Sequence, residues 1–309
     1  MRRPVALLIT VVSVVAAVAF VYQSLTPDPR SLGVIVPAGG PLPITADPDP
    51  DDPTDMDLTA PPVALAPPTG AVVQQGVVRL PKPTIDLKAQ RRVGIQVGHW
   101  QTTDVPKEYG TRITAQTGAA FAGYTEVDLN MEIANRMKTL LTAQGIAVDI
   151  IPTTVPIGYL ADAFIALHCD SDGVGELSGF KMARSNRRGP FEDALLSTIK
   201  DVYAKATGLD YDFAHVSRQM LGYYSFNWSR YQHTTSPFTP SVIMEMGFIS
   251  NDDDRDLLVE HPDVVARALT DGVLTFLDEH PRSKLFSGDL IVPQAPLRPG
   301  PQATPSATP

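Results

Sequence analysis

Residues 93–97 are a short apolar, β-prone run; residues 126–144 carry Leu129, Ile133, Met137, Leu140 and Leu141 at helical spacing; residues 146–151 are apolar again. This strand–helix–strand order constrains the chain more than its composition does. Two strands joined through a helix come to lie parallel, with the crossover right-handed. Thr125 is placed to cap the helix and Gly145 to end it. Further strands are expected at 164–168, 177–183 and 241–246, and helices at 191–207, before Gly208, and at 264–279, with Val265, Leu269, Val273, Phe276 and Leu277 as its apolar stripe. Residues 101–124 read as a polar loop. The pattern predicts an α/β fold: a single domain with a mostly parallel, twisted sheet flanked by helices on both faces.

Chemistry gathers where the apolar runs stop. His99 follows the first run and Gly98, which is expected to let the backbone turn tightly; His168 ends the run 164–167; Glu245 follows 242–244. Carboxyl ends of parallel strands are where ligands bind in open α/β sheets. A lone histidine is more often an ordinary surface or core residue than a ligand, but two at such positions point to one site. Glu126 opens a helix, where the dipole alone favours a carboxylate. Glu245 interrupts an apolar stretch, and a buried carboxylate costs several kcal/mol unless it is paired, hydrogen-bonded or metal-linked. Two histidines and a glutamate suit catalytic zinc with one open position, and a second carboxylate nearby can move a proton from water to a leaving amine. Together these are the parts for amide hydrolysis.

Composition bounds the rest. Residues 1–25 begin Met-Arg-Arg and continue with an uncharged apolar run near the length that crosses a bilayer. They read as a signal anchor, or as a signal peptide cleaved near Ala17-Val18-Ala19; either exports the chain, membrane-anchored or secreted, to an extracytoplasmic location. Residues 26–88 are rich in proline and aspartate and read as a disordered linker. The catalytic domain is expected at 89–283 and a proline-rich disordered tail at 284–309. A single cysteine, Cys169, excludes an intrachain disulfide, and the net charge of −9 argues against nucleic acid as a partner.

Gly98-His99, the opening of the helix at Glu126, the stretch Ala161-Asp162-Ala163-Phe164-Ile165-Ala166-Leu167-His168 and the stretch Pro240-Ser241-Val242-Ile243-Met244-Glu245-Met246-Gly247-Phe248-Ile249-Ser250-Asn251 resemble the zinc-dependent N-acetylmuramoyl-L-alanine amidases of bacterial cell walls. The resemblance implies that His99, Glu126 and His168 hold Zn2+ and that Glu245 is the general acid–base. It also implies a mixed sheet flanked by helices, of phosphorylase/hydrolase-like kind, and peptidoglycan as the substrate, cut between N-acetylmuramic acid and L-alanine. The chain departs from the family at Gln96, where an acidic residue is usual, at Trp100, where a second glycine is usual, and at Pro152, where an arginine is common. Trp100 stands beside the expected metal and could stack on a sugar, narrow access or be a surface aromatic. Asp170 and Asp172 are expected to solvate the loop after His168, and Cys169 to be a packed residue; His233, shortly before the Glu245 strand, is a lower-ranked candidate for polarising the scissile carbonyl. Two competing readings are a noncatalytic peptidoglycan-binding or regulatory domain, which loss of a ligand would favour, and a zinc peptidase acting on stem peptides, whose common His-Glu-x-x-His signature is missing.

Overall fold

The computed structural model describes residues 71–74, 77–185 and 189–293. Among the described residues the strands are β1 (Val72–Gln74), β2 (Val77–Leu80), β3 (Arg92–Val97), β4 (Ala120–Phe121), β5 (Tyr124–Thr125), β6 (Ala147–Ile151), β7 (Ala163–Asp170), β8 (Lys181–Arg184), β9 (Ser241–Phe248) and β10 (Leu290–Pro293). The helices are α1 (Thr111–Ala115), α2 (Glu126–Ala143), α3 (Glu192–Thr207), α4 (Arg218–Leu221), α5 (Asp252–Glu260), α6 (Pro262–Glu279) and α7 (Arg282–Leu285).

The main sheet runs β6-β3-β7-β9-β8. Its first four strands are parallel and β8 is antiparallel to β9. A mixed sheet with a parallel majority therefore holds as expected. The helices are less evenly shared between its faces. Ile95, Leu167, Met182 and Met244 face one side, against Ile133 and Met137 of α2, Ile199 of α3 and Leu269 of α6. On the other side Phe164, Ala166 and Ile243 meet Tyr109, Ile113, Met220 and Tyr224, which come from short helical turns and loops. The long helices lie on one face because their apolar stripes pack on each other as well as on the sheet.

Helix boundaries follow local chemistry. The Thr125 side chain accepts from Asp128 N at 3.2 Å, so α2 starts where the sequence predicts. Gly208 ends α3 in the left-handed conformation. Helix α5 is unforeseen, although Asn251 caps it and Asp252, Asp253 and Asp254 fill its first turn. The strand expected at 177–183 is confined to β8, because Asp172 takes the preceding loop by accepting from Val174, Gly175, Glu176 and Leu177 N. The loop expected at 101–124 contains a 3-10 turn (Lys107–Tyr109), α1 and the β4–β5 pair.

A second sheet, β1-β2-β10, takes residues from the stretches assigned by composition to the linker at 26–88 and the tail at 284–309. Leu80 pairs with Leu290 and Val78 with Val292. Leu80, Leu290 and Val292 are buried against Trp228 and Phe238, which is why these edges of the proline-rich segments join the domain. The expected membrane segment at 1–25 lies outside the described residues. Among the described residues no helix is long and apolar enough to cross a membrane.

Candidate metal centre

The parallel register sets the site. Leu167 pairs with Val97 and His168 with Glu245, while Glu245 also pairs with Lys181 across the antiparallel edge. Directly paired residues project from the same face, so His168, Glu245 and Lys181 form a row in the carboxyl-terminal halves of β7 and β9, which run on to Asp170 and Phe248. His99 joins from the turn after β3, and Glu126 from the first turn of α2.

His99, Glu126 and His168 each offer a ligand atom, and these atoms lie within 4.8 Å of one another. His168 Nδ1 is 2.9 Å from Glu126 Oε1, and His99 Nε2 is 3.4 Å from the same oxygen. The imidazoles meet edge to face, centroids 4.9 Å apart. Ligands of a tetrahedral zinc at their usual bond lengths stand about 3.4 Å apart, so the spacing and the donor set both fit that ion. Glu126 is further fixed by Ala119 N, which donates to Oε2 at 2.8 Å, and by Cys169 N and Asn130 Nδ2, which donate to Oε1 at 3.2 and 3.4 Å.

Two glycines make room for this packing. A Cβ on Gly98 would stand 2.4–2.7 Å from three atoms of the His168 ring, and one on Gly118 would stand 3.0 Å from Glu126 Oε2. The sequence-based role for Gly98 was the turn. Instead the turn residues themselves are left-handed, His99 with φ 60° and Gln101 with φ 59°. Non-glycine residues rarely adopt that conformation, which costs about 1–2 kcal/mol per residue. Gly98 is small because the His168 ring occupies the space a side chain would need.

Burial opposes ionisation of Glu126, but the charge of His99 and the hydrogen bonds of both histidines outweigh it and hold the carboxyl below its ordinary range. Burial likewise opposes protonation of His99, and the neighbouring Glu126 overcomes it, raising that imidazole. In His168 burial wins and favours the neutral ring, the form that binds a metal. Burial also pushes the Cys169 thiol up; it donates to Asn130 Oδ1 at 3.5 Å, as a packed residue.

Glu245 is 6% exposed. Lys181, buried beside it, forms an ion pair with Asp170 and lies over the Phe248 ring at 5.3 Å. The Lys181 ammonium is disfavoured by burial yet raised overall by Asp170 and Glu245. Asp170 and Asp172 therefore have structural partners, where simple solvation was expected. His233 is turned to Glu108, its Nδ1 2.7 Å from Oε1, and lines none of the space over the histidines. Trp100 packs partly on the main core. The Gln96 side chain, in place of the usual acid, is wholly buried, and Pro152 accepts from it at 3.2 Å.

Tyr223 was missed in the sequence. Its hydroxyl is 2.8 Å from His168 Nε2. The one available signal was the aromatic cluster Tyr223-Tyr224-Ser225-Phe226 within a polar loop. Together with Ile113, Gln116 and Thr153, Tyr223 and Tyr224 enclose a free space of 20 Å³ over His99 and His168. That is room for an ion or a water.

The sequence profile of the N-acetylmuramoyl-L-alanine amidase family matches residues 93–275. Among solved structures, the chain is similar to the N-acetylmuramyl-L-alanine amidase of Mycobacterium smegmatis, at 21% identity and a TM-score of 0.49, over 62% of this chain and 99% of that one. It is also similar to the amidase of Nostoc punctiforme, at 18% identity, TM-score 0.42, over 62% and 98% of the two chains. A third is the catalytic domain of the amidase from Bacillus (Paenibacillus) polymyxa var. colistinus, at 20% identity, TM-score 0.42, over 61% and 99%. A search of curated proteins found no match. The profile spans more than half of the chain and contains His99, Glu126, His168 and Glu245, and the chain belongs to the N-acetylmuramoyl-L-alanine amidase family of enzymes.

Proposed function

We propose that the protein is a zinc-dependent hydrolase of peptidoglycan that cuts the amide bond between N-acetylmuramic acid and L-alanine. His99, Glu126 and His168 would hold the ion. The observation carrying this reading is the convergence of these three ligand atoms within 4.8 Å, beside a strand on which Glu245 is the register partner of His168.

Bound zinc would polarise the scissile carbonyl and make water a better nucleophile at neutral pH. The remaining work falls to the chain. Glu245 accepts a proton from the attacking water and delivers it to the departing alanine nitrogen, so the amine leaves neutral. Glu126, held ionised by its histidines and by backbone N–H groups, supplies a fixed negative charge without taking part in that transfer. The enclosing residues Ile113, Tyr223 and Tyr224 limit access of bulk water.

The substrate lies outside the cytoplasm, so the proposal includes export through residues 1–25, with the proline-rich segment as a spacer before the catalytic domain, whose 89–283 segment is extended by the β1-β2-β10 sheet. Mass analysis of muropeptides after incubation with the purified protein tests the reading. The expected products are stem peptides with a free alanine amine and glycan lacking them, formed with zinc and lost on chelation. Cleavage inside the stem, or products unaffected by chelation, would refute it.

A further inference from the structure

We infer that Tyr223 is a positioning residue for His168: its hydroxyl fixes the imidazole so that Nδ1 faces Glu126, and Tyr224 and Gln96 hold Tyr223 in place. The inference rests on the proposed metal centre.

His168 is 3% exposed, and both ring nitrogens are engaged. Nδ1 faces Glu126 Oε1 at 2.9 Å and Nε2 faces Tyr223 Oη at 2.8 Å, with the two rings edge to face at 5.5 Å. Nδ1 is the nitrogen that meets Glu126 Oε1, the oxygen that His99 Nε2 approaches at 3.4 Å. Second-sphere hydrogen bonds to the free nitrogen of a ligating histidine set its tautomer and orientation. A phenol suits this position because its hydroxyl both donates and accepts. With a proton on Nδ1, shared with the Glu126 carboxylate, Nε2 accepts from Tyr223. With Nδ1 given to a metal, the neutral ring carries its proton on Nε2 and donates to the same oxygen. The contact survives both states.

The support behind Tyr223 explains the departure at position 96. Gln96 Nε2 donates to Tyr224 Oη at 3.0 Å, to Thr153 O at 3.1 Å and to Pro152 O at 3.2 Å, while its Oε1 accepts from Ser225 Oγ at 2.5 Å. Tyr223 and Tyr224 lie ring against ring at 4.6 Å. A carboxylate at position 96 would face two carbonyl oxygens with no proton to give. The amide is therefore matched to the 3-10 turn Tyr224–Phe226, and through that turn to Tyr223.

The test is zinc affinity of the full chain, measured by competition with a chromogenic chelator for wild type, Tyr223→Phe and Gln96→Glu. It is joined by thermal melting of the zinc-free proteins and by 15N spectra of histidine-labelled, zinc-loaded samples. Loss of such second-sphere partners typically costs about 10–100-fold in metal affinity. Tyr223→Phe should show that loss while melting close to wild type, and its His168 Nε2 signal should move. Gln96→Glu should weaken zinc in the same direction. Tyr223→Phe with wild-type zinc affinity and an unmoved His168 signal would overturn the inference, and so would a fall in turnover alone, which would place Tyr223 on the substrate. Wild type that binds no zinc would instead defeat the metal centre itself, before any variant is compared.

Discussion

Gly98→Ala adds one methyl group at the point where β3 meets the site. The new Cβ would lie 2.4 Å from Cε1, 2.6 Å from Nδ1 and 2.7 Å from Nε2 of His168. Carbon atoms are content at separations near 3.5–4.0 Å, so the ring must retreat by about 1 Å. It has nowhere free to go: Glu126 holds one nitrogen, Tyr223 the other, and both neighbours are buried. Overpacking of this sort costs roughly 1–3 kcal/mol. For a domain of this size each kcal/mol lowers the melting temperature by roughly 2–4 °C. Ligand distances in a metal site tolerate only about ±0.2 Å, so the functional damage exceeds the structural damage. Zinc affinity should fall by at least about tenfold, comparable to losing a second-sphere partner. Isothermal titration with zinc and thermal melting of the zinc-free protein measure the two effects. Gly145→Ala is the control, since Gly145 has φ +76° and no atom within 4 Å of the added Cβ; it should lose stability and keep zinc. If Gly98→Ala bound zinc as wild type does, crowding by His168 would not be the reason for the glycine.

Other outcomes follow from the same geometry. Glu192 is buried with Oε2 unpartnered, and burial pushes its carboxyl up to about 7. The unfolded chain releases that proton first, so stability falls as pH rises from the ordinary carboxylate range to about 7 and is flat above; the full penalty is about 3 kcal/mol. Glu192→Gln should flatten this slope and unfold at higher denaturant than wild type at pH 8, and equal slopes in the two proteins would count against the assignment. Glu108 accepts from Gln232 N, His233 N and His233 Nδ1, tying the 3-10 turn before α1 to the opposite loop. Glu108→Ala should let a chelator strip zinc several-fold faster, as followed by stopped flow; an unchanged rate would mean that this segment does not limit access. A fragment 89–283 should melt several degrees below a fragment 71–293, because it lacks Leu80, Leu290 and Val292 and uncovers Trp228 and Phe238. Equal melting would make the second sheet an accessory without weight.

Much of the fold was legible because it is local. The stripe of α2, its Thr125 cap and the apolar runs of β3 and β7 are written in consecutive residues, and these elements carry or lead into His99, Glu126 and His168. What was not legible depends on distant pairing. Leu80 meets Leu290 across most of the chain, and neither short run stands out from its proline-rich surroundings. Tyr223 sits in an irregular loop without periodicity, so no spacing argument could bring its hydroxyl to His168. The reason for Gly98 was also hidden, since the ring that excludes a side chain comes from another strand. Helix α5 is different: Asn251 and the three aspartates after it were readable as a helix start, but the family-like stretch ending at Asn251 drew the reading toward the site.

In the proposed mechanism three residues hold the metal while Glu245 moves the proton, and one paired measurement separates the two roles. Zinc content and muropeptide turnover are determined on the same samples of wild type, Glu245→Gln and His168→Ala. Glutamine keeps the volume of Glu245 and cannot accept a proton. General acid–base catalysis contributes on the order of 10²–10⁴ in rate, so Glu245→Gln should retain one zinc and lose about that much turnover, while His168→Ala should lose both. A Glu245→Gln protein with wild-type turnover would remove Glu245 from the mechanism, and one that has lost its zinc would make Glu245 a ligand.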